Sequence, residues 1–432
     1  MKYFGTDGIR GVPNVALTYD IICRLANALA YLNEKEVYIA TDTRNSKDMI
    51  VSIISGVLLS RGIDVKNMGV IPTPALIYYS KIKKCLAVMI TASHNPYSDN
   101  GIKIIINGRK LNFDEEHFIE NKMDENDFIY NEKIGAYYNS SEAVDEYYKL
   151  LNKYITKSNY KIALDTSNGA TYITAPTIFK KVTKDLVLIA NKPNGYNINH
   201  NCGSLNLNLL MDTIINNNCD FGFAFDGDGD RIMAVDKYGN IINGDMIVYI
   251  IALYLKKNER LYNDTVVLTK TVNLGIVDAL SKHDIKVKYS EVGDKNISNL
   301  LERHHLDLGG ETSGHIIVSE ILGTGDGTLI ALLLTKILTE ENKEFKDYLK
   351  DIKLVPEIKM NVKVKNKKIV ETKPFIDFIM QYKKDVKIDI RASGTEDLIR
   401  INLMGMDIDL LEQIKEEIIK FIKKLDDKCL EA

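Results

Sequence analysis

The sequence predicts an α/β protein: three related α/β domains with mixed sheets, then a smaller C-terminal α+β domain. Three observations carry that prediction. With 432 residues the chain is too long for one ordinary hydrophobic core, so about two to four domains are expected. One local design recurs at Asn45, Asn168 and Asn273, a period far longer than the roughly 20–50 residues of a solenoid. The segment after Pro356 follows a different pattern.

In the recurring design an apolar run ends in a charged residue, Thr, any residue and Asn, and a helical pattern and a second short apolar run follow. The three copies begin "VYIATDTRN", "KIALDTSN" and "VVLTKTVN". Strand, polar turn, amphipathic helix and strand in that order make a βαβ unit. The strands are apolar nearly throughout, which fits parallel or mixed sheets covered on both faces. "MIVYIIALYL" from Met246 is about half a membrane span and reads as a buried helix. Segments 120–135 and 191–208 are rich in Asn and Lys and read as loops. Beyond Pro356 come "EIKMNVKVKNKK", a helix-like "TKPFIDFIMQYKK", strand-like "VKIDIRAS" and "LIRINLMG", and a final amphipathic helix from Asp409. The expected domains are 1–148, 149–244, 245–355 and 356–432.

Composition removes several function classes. Apolar residues make up 45% and charged residues 27%, the balance of a soluble globular protein. A net charge of −3 is no electrostatic footprint for nucleic acid or an anionic membrane. Five scattered cysteines without a C-x-x-C pair read as reduced thiols of a cytoplasmic protein, and the N-terminus lacks the apolar core of a signal peptide.

The chemistry concentrates in short loops. "FAFDGDGDRIMAV" sets Asp226, Asp228 and Asp230 between two apolar runs. A plain turn gains nothing from three repelling carboxylates. An EF-hand counted from Asp226 would need Gly and Glu where Arg231 and Lys237 stand. A compact divalent-cation site remains: three hard oxygen ligands, with Gly227 and Gly229 letting the backbone curl, suit Mg²⁺. Arg231 follows directly and can pair with a phosphate.

"MITASHNPYSDNGIKI" places Ser93, His94, Asn100 and Lys103 after a strand-like run. In an extended chain adjacent residues point to opposite faces, so His94 is expected to be badly placed as a base for Ser93. No G-x-S-x-G elbow is present. A serine facing a bound cation suits a different task, carrying a phosphoryl group whose charge the metal neutralises. Lys103 is then a candidate for electrostatic or proton-transfer work. "LGGETSGHI" offers Glu311, Ser313 and His315 among small residues; a hexose pocket and a plain helix-to-strand connector explain it equally well. "GTGDG" from Gly323 lacks nucleotide-fingerprint spacing and reads as a turn. "RASGTEDLIRI" gathers Arg391, Ser393, Gly394, Thr395 and Arg400, a phosphate cradle or a polar turn flanked by arginines.

Taken in order, "FGTDGIRG", "TASHNPYSDNGIKI", "DGDGDR", "GGETSGH" and "RASGTEDLIR" resemble the α-D-phosphohexomutases, and the likeness runs from Tyr3 to the last helix. The resemblance implies four domains around a central cleft, supplying in turn a phosphoserine, a metal, a sugar and a phosphate loop. It implies that Ser93 is phosphorylated and, with Asp226, Asp228 and Asp230, holds one Mg²⁺. Glu311 and Ser313 would bind sugar hydroxyls. Arg391, Ser393, Gly394, Thr395 and Arg400 would grip the phosphate that is not transferred, and Arg10, Lys103, Arg231 and His315 would line the cleft near the one that is.

The implied activity is interconversion of glucosamine 6-phosphate and glucosamine 1-phosphate through a 1,6-bisphosphate, feeding UDP-N-acetylglucosamine and cell-wall precursor synthesis. A glucose or glucosamine 1,6-bisphosphate would serve as primer, and a homodimer stays open. The rival readings are mannose or glucose phosphates as substrate on the same scaffold, and a non-catalytic sugar-phosphate sensor. The chain departs from the pattern at Thr312, where Gln is usual, at Lys295, where Arg is usual, and at Asp397, where Pro is common. Lys295 cannot make a planar bidentate contact and is left out of the expected site.

Overall fold

In the computed structural model, residues 2–5, 7–128, 130–382, 386–393 and 397–428 are described, the side chains of 427 and 428 excepted. The strands form four sheets, of seven, five, four and three strands. The first three share one wiring. Strands Glu36–Thr41, Ile162–Asp165 and Thr265–Thr269 start the three copies of the recurring design. Each runs on through a helix, Lys47–Ser60, Thr174–Val182 or Leu274–Lys282, into a parallel strand, Asp64–Val70, Leu186–Ile189 or Lys286–Ser290. On its other side each lies parallel to a third strand, Leu86–Ile90, Phe221–Phe225 or Leu308–Gly310. That third strand then folds back antiparallel on Asn100–Ile106, Ile232–Asp236 or Ile316–Val318. The sheets are therefore mixed, and a hairpin loop stands at the carboxyl end of a buried parallel strand in every copy.

The apolar runs form strands because both faces are covered. All five residues of Leu86–Ile90 and of Phe221–Phe225 are buried. One apolar cluster runs through the first three sheets, from Tyr38 and Met89 through Phe221 and Phe223 to Val266 and Leu308. A second covers the outer face of the first sheet, from Ile22 and Leu25 to Ile104. The C-terminal sheet has the order Glu357–Lys363, Leu398–Met404, Lys387–Ala392, all antiparallel. Its apolar face packs on helices Lys373–Met380 and Ile408–Lys428 around Ile399, Ile401, Leu411 and Ile418. It docks on the third sheet's domain through Lys387 Nζ on the carbonyl of Val272 (2.9 Å) and the N–H of Leu274 on Met404 Sδ (3.2 Å).

The expected loop at 120–135 is corrected at its start, where helix Phe113–Glu125 continues. A capping box of Asn112 and Glu115 starts that helix, and Ile119 and Met123 bury one face. Its Lys and Asn residues lie mostly on the solvent side, which composition alone does not reveal. Segment 191–208 is irregular up to helix Asn208–Asn217, and "GTGDG" turns into helix Gly327–Glu341, capped by Asp326 on the N–H of Leu329. Among the described residues no helix is long and apolar enough to cross a membrane, and Cys23, Cys85, Cys202 and Cys219 are free and buried.

Phe223 lies at the crossing of these layers, fully buried and packed edge-on to Phe221 (5.4 Å between centroids) and tilted against Phe179 (6.1 Å). Phe223→Ala is expected to cost about 3–5 kcal/mol of unfolding free energy, read as a shifted urea midpoint.

Candidate active site

Three hairpin loops converge. The serine loop follows Leu86–Ile90, the acidic loop joins Phe221–Phe225 to Ile232–Asp236, and the sugar loop joins Leu308–Gly310 to Ile316–Val318. Serine and acidic loops touch backbone to backbone: a Cβ added at Gly227 would collide with the carbonyl of Ser93. Acidic and sugar loops are joined by Arg231 and His315 as bridge partners and by the N–H of Ile232 on the carbonyl of Gly314 (3.0 Å).

Ser93 sits at φ 53°, the left-handed region that a non-glycine residue enters only when its surroundings hold it there. Its N–H donates to Thr91 Oγ1 (2.9 Å). Its carbonyl accepts from Arg44 Nη2 (3.0 Å) and Asn199 Nδ2 (2.9 Å). Arg44, wholly buried, also donates to the carbonyls of Asn95 (2.8 Å), Asp99 (2.9 Å) and Pro96, and is balanced by Asp42 (2.9 Å). The backbone bend corrects the sequence reading of His94. Because Ser93 is not extended, His94 Nδ1 lies 3.3 Å from Ser93 Oγ. Burial, then Arg231 and Arg10, push the His94 imidazole down to about 3, so it faces the serine uncharged at neutral pH.

Ser93 Oγ donates to Asp226 Oδ2 at 2.6 Å. Asp226, Asp228 and Asp230 are all buried, and one oxygen of each lies within 4.8 Å of the others. Burial, then Asp230 and Asp228, push the Asp226 carboxyl well above the carboxylate range. Asp228 also suffers burial, but Lys103 (2.7 Å) and the Thr73 hydroxyl (2.6 Å) hold its carboxyl below that range. Asp228 Oδ1 and Asp230 Oδ1 have no hydrogen-bond partner among the described residues. Hard oxygens, buried, crowded and unpaired, fit a small divalent cation better than any other occupant.

Cations ring the acids. Lys103 is buried, yet Asp228, Asp7 (3.0 Å) and Asp230 (3.6 Å) hold its ammonium well above the usual lysine value. Arg10 pairs with Asp7, and Arg231 Nε stands 3.9 Å from Asp230. His315 Nε2 lies 4.0 Å from Asp230 and 3.8 Å from Asp294, and neither ring nitrogen has a hydrogen-bond partner among the described residues. Glu311 accepts from the N–H of Gly293 (2.6 Å) and from Ser313 Oγ (3.0 Å). Ser93, Arg10, Lys103, the three aspartates, Arg231, Glu311, Ser313 and His315 thus come together through these loops.

Arg391 and Arg400 are cross-strand partners on the C-terminal sheet. They line a cavity of about 350 Å³ with Lys359, Asn361, Asp389 and Asn402, facing Thr271 and Thr312 of the third domain. Ser393 is buried beside them in sequence, its carbonyl accepting from Lys367 Nζ (3.1 Å). Gly394 and Thr395 lie outside the described residues. Sequence reasoning missed Asp42, Arg44, Thr73, Asn199, Asp7, Lys110 and Asp294. Asp42 and Arg44 stood in the first "TDTRN" turn, and Asp7 in the same stretch as Arg10, so position in a recurring turn was the available signal.

The chain matches four domain patterns described as phosphoglucomutase/phosphomannomutase: alpha/beta/alpha domains I (residues 1–130), II (139–239) and III (243–354), and the C-terminal domain (337–421). The chain belongs to the phosphoglucomutase/phosphomannomutase family. It is 38% identical over 431 residues to the phosphoglucosamine mutase of Thermosipho africanus, covering 99% of this chain and 100% of that one. It is 40% identical to the phosphoglucosamine mutase of Fusobacterium nucleatum, over 98% of this chain and 99% of that one. The family fold extends to solved structures. A Burkholderia thailandensis phosphoglucomutase/phosphomannomutase family protein superposes with a TM-score of 0.81 at 20% identity, covering 98% of this chain and 97% of that one. The Aspergillus fumigatus N-acetylphosphoglucosamine mutase, solved with GlcNAc-6P and magnesium, does so with 0.67 at 16% identity, over 98% and 96%. Like its relatives, this family member is a mutase.

The contact between Gly227 and Ser93 generates a test. Gly227→Ala forces the two loops apart, and a displacement of about 1 Å at a reacting group costs on the order of 100-fold in turnover. The expected result is that loss in kcat with a thermal midpoint within a few degrees of the parent.

Proposed function

We propose that this mutase interconverts glucosamine 6-phosphate and glucosamine 1-phosphate through a phosphorylated Ser93 and a 1,6-bisphosphate. The observation that carries the reading is Ser93 Oγ at 2.6 Å from Asp226, within a buried acidic triad that has unpaired oxygens. The curated relatives named phosphoglucosamine mutase support the amino sugar as substrate. The related Aspergillus fumigatus mutase, solved with magnesium and, as a variant, with glucose 1,6-bisphosphate, supports the metal and the form of the intermediate. Asp226, Asp228, Asp230 and the phosphate of Ser93 would hold one Mg²⁺. When bound, the ion neutralises charge on the phosphoryl group as it moves.

The chain's own groups account for the rest. The bond from phosphorus to Ser93 Oγ breaks as a bond from phosphorus to sugar O1 forms, and one proton passes from O1 to Oγ. Lys103, kept charged by three carboxylates, stabilises phosphoryl oxygens and does not take that proton. His315, whose ring nitrogens have no hydrogen-bond partner among the described residues, is the group that receives and returns it. Arg10 and Arg231 add positive charge at the same place. The bisphosphate then turns end over end, and Ser93 recovers a phosphoryl group from O6, releasing glucosamine 1-phosphate. Arg391, Ser393, Gly394, Thr395 and Arg400 hold the phosphate that stays, and the cavity between the third and C-terminal domains gives it room. Glu311 and Ser313 hold sugar hydroxyls. The bacterial relatives support a cytoplasmic place in amino-sugar metabolism.

Intact-mass analysis of purified protein is expected to show a species heavier by one phosphate that is absent from Ser93→Ala, along with the activity. Turnover is expected to favour glucosamine 6-phosphate over mannose and glucose 6-phosphates; preference for either of the others would replace the substrate and leave the chemistry. Asp228→Asn is expected to lower Mg²⁺-dependent turnover by more than about tenfold, the lower end of what disturbing even an outer partner of a metal costs.

A further inference from the structure

The short loop from Val292 to Lys295, which the sequence reading set aside, is attached on every side. Gly293, at φ 122°, donates its N–H to the sugar-loop carboxylate of Glu311 (2.6 Å). Asp294 opens helix Asp294–His304, pairs with Lys110 on the first sheet and stands 3.8 Å from His315 Nε2. Lys295 pairs with Glu116 on helix Phe113–Glu125 of the first domain. Lys110 also pairs with Asp7, and Asp7 lies 3.0 Å from Lys103 on the strand leaving the serine loop.

The two ion pairs run in opposite senses. In one the first domain supplies the cation, in the other the anion. A shift by one residue would set Lys295 against Lys110 and Asp294 against Glu116, so the charges fix a single register. Side-chain exposures of 8% for Glu116, 14% for Lys110, 20% for Asp294 and 31% for Lys295 leave these pairs little screened by solvent. The covalent route from first to third domain runs through the whole of the second, whereas this contact joins them directly.

We propose that the loop from Val292 to Lys295 is a clasp that positions Glu311 and His315 over the serine loop, with Lys110 and Glu116 of the first domain as its anchors. These are positioning residues: they act through Glu311 and His315. Lys295 therefore serves in a protein–protein pair within the chain, where a single point of charge suffices and the planar fork of an arginine is not needed.

The inference rests on the mutase reading, and its test separates the two. Glu116→Lys and Lys295→Glu are each expected to raise KM for glucosamine 6-phosphate and lower kcat/KM by about tenfold, through misplacement of the sugar loop. Lys295→Arg is expected to stay near the parent, and the charge-swapped double variant to regain most of the loss. The Mg²⁺ concentration for half-activation should not move, because none of these residues meets the acidic triad. Amide exchange over residues 292–315 should rise in each single variant and fall again in the pair, whether or not the protein turns over sugar. Single variants with parental KM and parental exchange, or a double variant no better than the worse single, would overturn the clasp. Failure of the mutase reading looks different: the parent itself would turn over no hexose phosphate, while the exchange pattern still decides the clasp.

Discussion

Repulsion among Asp226, Asp228 and Asp230, three carboxylates buried within 4.8 Å, is the constraint that the surrounding structure answers. Carboxylates gathered away from water are costly unless each finds a compensating group. Part of the answer is built in: Lys103 pairs with Asp228, and Thr73 donates to it. The remainder is left open, as oxygens of Asp228 and Asp230 with no hydrogen-bond partner among the described residues and a carboxyl at Asp226 driven above its normal range. A site in that condition is poised for positive charge, and the hydroxyl that would carry phosphate is already hydrogen-bonded to its edge.

Holding the acids this way requires precise backbone placement. Gly227 permits an approach to Ser93 that any side chain would block, and Gly229, at φ 76°, turns the chain so that Asp228 and Asp230 face inward. Opposite them, Arg44 grips the serine loop by its carbonyls, so Ser93 keeps a left-handed backbone that it would not hold alone. A guanidinium suits this task because its fixed fork of donors reaches several acceptors at once. Asp42 keeps that charge from being buried unpaired.

The same wiring used three times explains why one cleft can be assembled from distant segments. Each copy ends a buried parallel strand in a hairpin, and three such hairpins meet. The C-terminal sheet contributes the antiparallel strands Lys387–Ala392 and Leu398–Met404, on an unrelated architecture. Loops on separate sheets gain chemical freedom, but their relative position must come from contacts between domains. The shared apolar cluster provides most of it, and the paired charges around Asp294 and Lys295 provide register at the sugar loop.

The sequence by itself determined the α/β class, the threefold repeat, the distinct C-terminal segment and the loops that carry reactive groups. Those features are local, since strand, turn and helix follow from apolar periodicity and from Gly, Asn and Asp at turns. Spacing alone already picked out the acidic triad, because alternate carboxylates have few structural uses. Only the tertiary structure decided that His94 touches Ser93, that Arg44 and Asn199 hold the serine loop, and that Lys295 turns to Glu116. Each of those depends on a backbone angle outside the regular elements or on residues far apart in the chain. A pattern read along one strand or helix contains neither, and the side chains meet only once the domains have packed.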